Sequence, residues 1–318
     1  MKNVVTIGGG SGQSNLLKGL KNIPEIEITA IVSMFDSGGS TGRLRKELGV
    51  LPPGDILKCL LALSGEEKIE KFLKQRFEKN KLKGHSLGNL LLVVLSQYEG
   101  DFSRAVDSLG EVLGSPGRVL PVTTDKASLV AVLENGEEVW GEGEIDVPQN
   151  ENRAKVEKIY LSALEAEKVR AEDSVITALG EADFIILSPG DIYTSLLPNL
   201  LVGGVVGAIQ ESEAKLIYLG NLTTKPGESD NFQAEDFVLE IEKYLERGID
   251  YAVFNNNIPG QENIEKLISE SARPVYPPEK DLAGRIVIKE DLWDRSSKNL
   301  KHSRAKTASL ISKLIKEK

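Results

Sequence analysis

Two short apolar runs near the start of the chain each pass straight into a loop of glycine and serine. Residues 4–7 lead into Gly8, Gly9, Gly10, Ser11, Gly12, Gln13 and Ser14. Residues 28–35 lead into Asp36, Ser37, Gly38, Gly39, Ser40, Thr41, Gly42 and Arg43. A strand that ends in such a loop and then opens a helix aims unpaired backbone N–H groups at one spot, a device for holding an anion, most often a phosphate. Loops at the carboxyl ends of parallel strands line one crevice. The pair therefore points to an α/β fold with a crevice for a phosphorylated ligand.

The alternation of strand and helix continues along the chain. Residues 14–20 are amphipathic. From about 54 to 114 apolar residues recur at helical spacing, which predicts a helical insertion after the second strand. Residues 119–124 read as a strand. The runs 128–133 and 138–142 flank Asn135-Gly136, a β-hairpin signal, and 155–161 adds a further β-like run. A small β insertion is expected over about 126–161. Strand–helix alternation then resumes, with a helix at 171–181, strands at 184–187, 216–219 and 251–254, and helices at 237–245 and 303–316. This pattern predicts a Rossmann-like, mostly parallel sheet flanked by helices. With no repeat or linker, residues 1–318 are expected to form a single α/β domain.

At 318 residues and 40% hydrophobic content the chain can bury a sizeable core. A net charge of −9 argues against a broad surface for nucleic acid or acidic membrane. The basic residues near the end (Lys298, Lys301, Arg304, Lys306, Lys313, Lys316 and Lys318) accompany an apolar stripe of Leu310, Ile311, Leu314 and Ile315, so they read as a solvated helix face. Cys59 is the only cysteine and lies in an apolar helical run, which predicts a buried, inert thiol and neither a disulfide nor a zinc site. The chain opens directly as a strand, without a secretory leader, and the longest apolar stretch, 196–209, is too short and too broken to span a bilayer. A cytoplasmic location is expected.

The first loop is not a dinucleotide fingerprint, because the third glycine of G-x-G-x-x-G is replaced by Gln13 or Asn15, depending on where the count begins. It is not a P-loop either. In the second loop Asp36 could accept a ribose hydroxyl, hold a divalent ion or cap the next helix. Ser40 and Thr41 supply hydroxyls, and Arg43 and Arg45 are placed for phosphate. His85 and Asn89 lie in a glycine-flanked helix start, where His85 is either a core or cap residue or a charge stabiliser. Ser188, Pro189, Gly190, Asp191, Tyr193 and Thr194 follow a buried strand, with Asn199 just beyond, and Asn221 follows another. Four polar loops thus fall on one rim.

The stretches GGGSGQSNLLKGLK, ITAIVSMFDSGGSTGRLR, LPPGDILKCLLALS, GHSLGNLLL, VLPVTTD, SPGDIYTSLLPNLLV, GNLTTKPGE and SESARPV resemble, in order, the YvcK-type gluconeogenesis factors and the wider family that includes the transferase CofD. The resemblance covers residues 4 to about 275 and implies a Rossmann-like fold with a nucleotide-type ligand at the strand ends. One branch implies a uridine-diphosphate-sugar-binding protein needed for gluconeogenic growth and cell shape. There Gly8, Gly9, Gly10, Ser11, Gly12, Gly38, Gly39, Ser40, Thr41 and Arg43 would hold the diphosphate, with Asp36 on ribose or an ion. Ser188, Pro189, Gly190, Tyr193, Thr194, Asn199 and Asn221 would close the far side. The other branch implies a magnesium-dependent transfer of a phospholactyl-type group, with Asp36 helping to bind Mg²⁺ and His85 or Arg43 steadying phosphate charge. The resemblance also implies a homodimer. Two departures from the family pattern stand out: Ser37 follows Asp36 where relatives carry a second acid or Asn, and Lys301-His302-Ser303 lacks the aspartate of a basic-His-Asp segment. A scaffold whose loops bind nothing is the third reading.

Overall fold

The computed structural model describes residues 1–150, 153–257, 260–297 and 300–316. The chain runs β1 (Lys2–Gly8), α1 (Gly10–Leu20) and β2 (Ile26–Val32). Five helices follow: α2 (Gly39–Leu48), α3 (Gly54–Leu63), α4 (Glu67–Leu73), α5 (Leu87–Glu99) and α6 (Phe102–Val112). Next come β3 (Arg118–Pro121), β4 (Ala127–Leu133), β5 (Glu138–Trp140), the short α7 (Glu142–Asp146), β6 (Val156–Ala163), α8 (Asp173–Gly180) and β7 (Phe184–Leu187). A π turn over Ile192–Leu196 runs into α9 (Leu197–Leu200) and α10 (Val205–Glu211). The remainder is β8 (Lys215–Leu219), α11 (Ala234–Leu245), β9 (Tyr251–Asn255), α12 (Gln261–Ser269), β10 (Ile286–Glu290) and α13 (Arg304–Lys316).

Seven strands form one sheet in the order β10-β9-β8-β7-β1-β2-β3, and every pair is parallel. The middle strands are apolar on both faces because helices cover both: Val4, Val5 and Ile7 of β1 and all of β7 are buried. β1 pairs with β2 on one side and β7 on the other, with Val4 opposite both Ile28 and Phe184. The chain builds outward from β1 through β2 and β3, then returns beside β1 and builds the other way through β10. The reversal between β1 and β7 opens a crevice at the strands' carboxyl ends, where ligands of such sheets bind.

The hairpin over β4 and β5 forms as the Asn135-Gly136 signal predicts, and β6 completes a separate antiparallel sheet in the order β5-β4-β6. The apolar stripe of α13 packs into the core beside α1, and Cys59 is buried, its thiol pushed up by burial. Lys298 and Lys318 lie outside the described residues. Several elements are absent from the sequence reading, α2, α12 and β10 among them. α2 is mostly polar, α12 buries none of its residues, and β10 is a half-exposed edge strand. None carries the apolar periodicity that marks a segment packed on a core. Among the described residues no helix is long and apolar enough to cross a membrane.

Candidate functional site

The first loop bends because Gly10 takes a left-handed conformation, φ +64°, which glycine adopts without strain. The first turn of α1 is then pressed against the loop after β7. A methyl group on Gly12 would lie 1.8 Å from the Pro189 carbonyl oxygen, so only glycine fits. Gln13, which breaks the dinucleotide spacing, is buried, and its Nε2 reaches the carbonyls of Thr6 and Ile31 at 3.2 and 2.9 Å. It staples β1 to β2 below the loop. The Gly10 amide donates at 2.7 Å to Oδ2 of Asp55, on the first turn of α3.

The second loop lies on the far side of Asp55. Asp36 Oδ1 accepts the Gly38 amide at 2.8 Å. Burial, then the charge of Asp55, hold the Asp36 carboxyl above its ordinary range, while Lys58 pairs with Asp55 at 2.8 Å. Ser37 is tied to the small sheet's margin: its amide donates to Glu142 Oε2 at 3.0 Å, and its Oγ accepts the Gly143 amide at 2.9 Å. Burial, then Asp36, raise Glu142 to about 7. Ser40 Oγ sits 2.8 Å from His85 Nδ1, and Asn89 Nδ2 donates to Ser40 at 3.4 Å. His85 is buried, and burial followed by the Arg43 charge lowers its pKa, so it is neutral at pH 7. Arg45 spends its donors on the carbonyls of Phe35, Asp36 and Ala127, which corrects the expectation that it is placed for phosphate.

A cleft of about 440 Å³ opens at the β1/β7 reversal, within the usual range for a small-molecule site. Its walls are the first loop, the loops after β7 and β8, and the segment entering α13. Asn221 joins two of these walls, donating to the Gly190 carbonyl at 2.8 Å. His302 Nε2 lies 3.1 Å from the Gly220 carbonyl, and the His302 carbonyl accepts from Asn15 at 2.7 Å, so the C-terminal segment clasps the wall. Burial lowers His302 to about 4, and it is neutral. Lys18, Lys74, Lys225, Lys301 and Arg304 stand around the cleft.

The expected residues therefore separate into two adjoining regions. Gly9, Gly10, Ser11, Gly12, Pro189, Gly190 and Asn221 line the cleft. Asp36, Ser37, Gly38, Gly39, Ser40, Thr41, Arg43, His85 and Asn89 belong to the second-loop region beyond Asp55 and are not on its wall. Gly8 and Ser188 lie beneath the cleft floor. Asn199 is fully buried and brackets the Gly8, Ser195 and Leu196 carbonyls at 3.3, 2.9 and 3.0 Å. Tyr193 and Thr194 face inward, donating from the Tyr193 amide and the Thr194 hydroxyl to the buried Glu228 at 3.0 and 2.8 Å.

Sequence reasoning missed Asp55, Glu142, Ser195 and the cationic rim. Asp55 follows Pro-Pro-Gly at a helix start, a signal that was there to read. Ser195, on the π turn, lines the cleft while its neighbour Thr194 faces inward.

Asp36 and Asp55 offer carboxylate oxygens, the donor type a hard divalent cation takes, but Asp55 already meets Lys58 and the Gly10 amide, and Asp36 the Gly38 amide and the Thr41 hydroxyl. Among the described residues, three acids converge: Asp146, Asp191 and Glu228, with ligand atoms within 4.8 Å of one another. There the Lys225 ammonium already lies 2.9 Å from Asp146 and 3.7 Å from Asp191, and Glu228 is hydrogen-bonded on both oxygens. That cluster joins α7 to the cleft and fits no resident metal.

The family model of 2-phospho-L-lactate transferase CofD matches residues 4–293. A protein of Thermotoga maritima is 41% identical over 317 residues, with 98% of each chain covered. The gluconeogenesis factor of Bacillus subtilis is 39% identical over 319 residues, covering 99% of this chain and 98% of its own. The crystal structure of a UPF0052-family protein from Bacillus halodurans superposes with a TM-score of 0.92 at 37% identity, over 98% of this chain and 99% of that one. The chain belongs to the CofD family.

Proposed function

We propose that this CofD-family protein binds a nucleotide sugar of the uridine-diphosphate class in the cleft between the first loop and the loops after β7 and β8. In this reading it serves gluconeogenic growth and cell-shape control as a binding factor in the cytoplasm. The observation that carries the reading is the rim: Lys301 and Arg304, with Lys18 and Lys74 shared with Glu70 and Lys225 shared with Asp146 and Asp191, stand around a glycine loop at the sheet's reversal, in a chain of net charge −9. The amides at the start of α1 and the ammonium and guanidinium groups of the rim would hold the diphosphate. Asn221 would fix the distance between the walls. The second-loop residues would contact the ligand's far end across Asp55. The gluconeogenesis-factor relatives support the metabolic assignment. The homodimer is part of the same proposal and is read by light scattering.

The transferase reading has one observation in its favour, the Asp36–Asp55 pair. These two carboxylates would hold Mg²⁺, which neutralises phosphoryl charge when bound. His85, neutral and hydrogen-bonded through Ser40, would orient the second loop.

A thermal-shift panel tests the binding reading. Saturation with one nucleotide class at a hundredfold excess over Kd should add about 2.7 kcal/mol of stability. An unchanged melting temperature with uridine-, guanosine- and adenosine-diphosphate ligands alike would sink it.

A further inference from the structure

The segment joining α4 to α5 stands apart from the rest of this acidic chain. Between residues 71 and 83 it carries Lys71, Lys74, Arg76, Lys79, Lys81 and Lys83 against a single acid, Glu78. Every residue from 74 to 83 is exposed. Bulky apolar side chains stand among the cations: Phe72 is 64% exposed, Phe77 38% and Leu82 43%. Lys71 and Lys74 pair with Glu67 and Glu70 of their own helix. Among the described residues, Arg76, Lys79, Lys81 and Lys83 have no carboxylate within ion-pairing distance.

The loop is held in shape. Arg76 bridges to Ser86, the Phe77 amide donates to the His85 carbonyl at 3.0 Å, and the Gly84 amide donates to the Phe77 carbonyl at 2.7 Å. Asn80, at φ +61°, turns the tip. The base of the loop is joined to the second loop, because Arg43 donates to the Lys83 carbonyl and His85 meets Ser40. Arg43 adds a further cation there.

We propose that this loop docks the protein on an anionic lipid surface. Cations beside exposed phenylalanine and leucine on a projecting tip match the chemistry of an interface, where lysines meet headgroup charge and apolar groups enter the acyl boundary. Nucleic acid would use the charge but would have little use for the leucine. An acidic protein would need a shaped counter-surface, whereas these ten consecutive residues are exposed throughout. The net charge of −9 repels the remaining surface from such a membrane and so confines contact to this face. Docking would set the second loop, and with it one flank of the proposed ligand site, next to the bilayer.

Vesicle co-sedimentation of the full chain tests the idea. Vesicles of phosphatidylcholine alone are compared with vesicles containing phosphatidylglycerol, at low and high salt. The wild type should pellet with the anionic vesicles at low salt and be released by high salt. Lys79→Glu/Lys81→Glu/Lys83→Glu should weaken partitioning on the order of a hundredfold. Phe77→Ser/Leu82→Ser should weaken the low-salt partitioning as well, and both variants should keep the wild-type circular dichroism and nucleotide-dependent thermal shift. Failure to pellet with anionic vesicles at low salt overturns the proposal. So does pelleting that the charge reversal leaves unchanged. Equal binding of a single-stranded oligonucleotide, insensitive to Phe77→Ser/Leu82→Ser, would assign the loop to nucleic acid instead.

Discussion

The Asp55 carboxylate accepts the amide of Gly10 at 2.7 Å, so the N-terminus of α1 is met by an acid from α3. That one contact divides the cleft from the second loop and places a negative charge beside the proposed diphosphate. Asp55→Asn keeps an acceptor and removes the charge. The binding account expects a stability change within about 1 kcal/mol and tighter nucleotide binding. Calorimetry reads the outcome. Weaker binding, restored by added Mg²⁺, would favour the cation-holding role of the pair.

Gly12 has no room for a side chain, since a methyl would meet the Pro189 carbonyl at 1.8 Å. Gly12→Ala must push the two loops apart. Chemical denaturation should show a loss of about 3 kcal/mol or more, accompanied by loss of the ligand-dependent thermal shift. A variant of wild-type stability would show that the two loops are not in contact.

Asn221→Ala removes the bond that ties the β8 loop to the Gly190 carbonyl. About 1–2 kcal/mol of stability should go with it. Ligand dissociation should accelerate more than association slows, because the walls no longer hold their spacing. Stopped-flow traces showing an unchanged off-rate would contradict the clasp.

Glu228, Glu142 and His302 give the stability a defined pH dependence. Glu228, raised to about 8 by burial and then Asp191, and Glu142, raised to about 7, keep protons in the folded state that the unfolded chain releases near 4.5. Their contributions are therefore lost as pH rises from about 4.5 to 8. His302, lowered to about 4, has the opposite sign: the unfolded chain gains a proton below about 6.5 that the folded state refuses, so stability falls as pH drops from 6.5 to 4. Glu228→Gln should flatten the alkaline limb, and His302→Gln the acid limb. Urea midpoints across this range provide the check, and parallel curves for the variants and the wild type would refute the assignment.

Much of the fold was legible in the sequence because the parallel strands are apolar throughout and their loops are punctuated by glycine. Val4–Ile7 and Phe184–Leu187 could be little else, and Asn135-Gly136 marked its hairpin. The polar elements α2, α12 and β10 escaped because burial, not propensity, creates the readable pattern. The site was half legible. The first glycine loop, the loop after β7 and Asn221 fall on the cleft as their positions after strands imply, whereas the rim cations come from α1, the end of α4, the loop after β8 and the C-terminal segment, far apart in sequence. Tyr193 sits in the same polar stretch as Pro189 and Gly190 yet faces into the protein from the π turn, and Asn199 is buried on the α9 turn that follows. Periodicity cannot show which way they face.

The position of the diphosphate separates the cleft from the second loop as the binding site. A crystal structure grown with a uridine-diphosphate sugar shows that position most directly. The diphosphate is expected between the amides of residues 11–13 and the side chains of Ser195 and Lys225, with Arg304 or Lys301 at its edge. Density for the diphosphate at the second loop, between Asp36 and Arg43 with the cleft left to solvent, would contradict it.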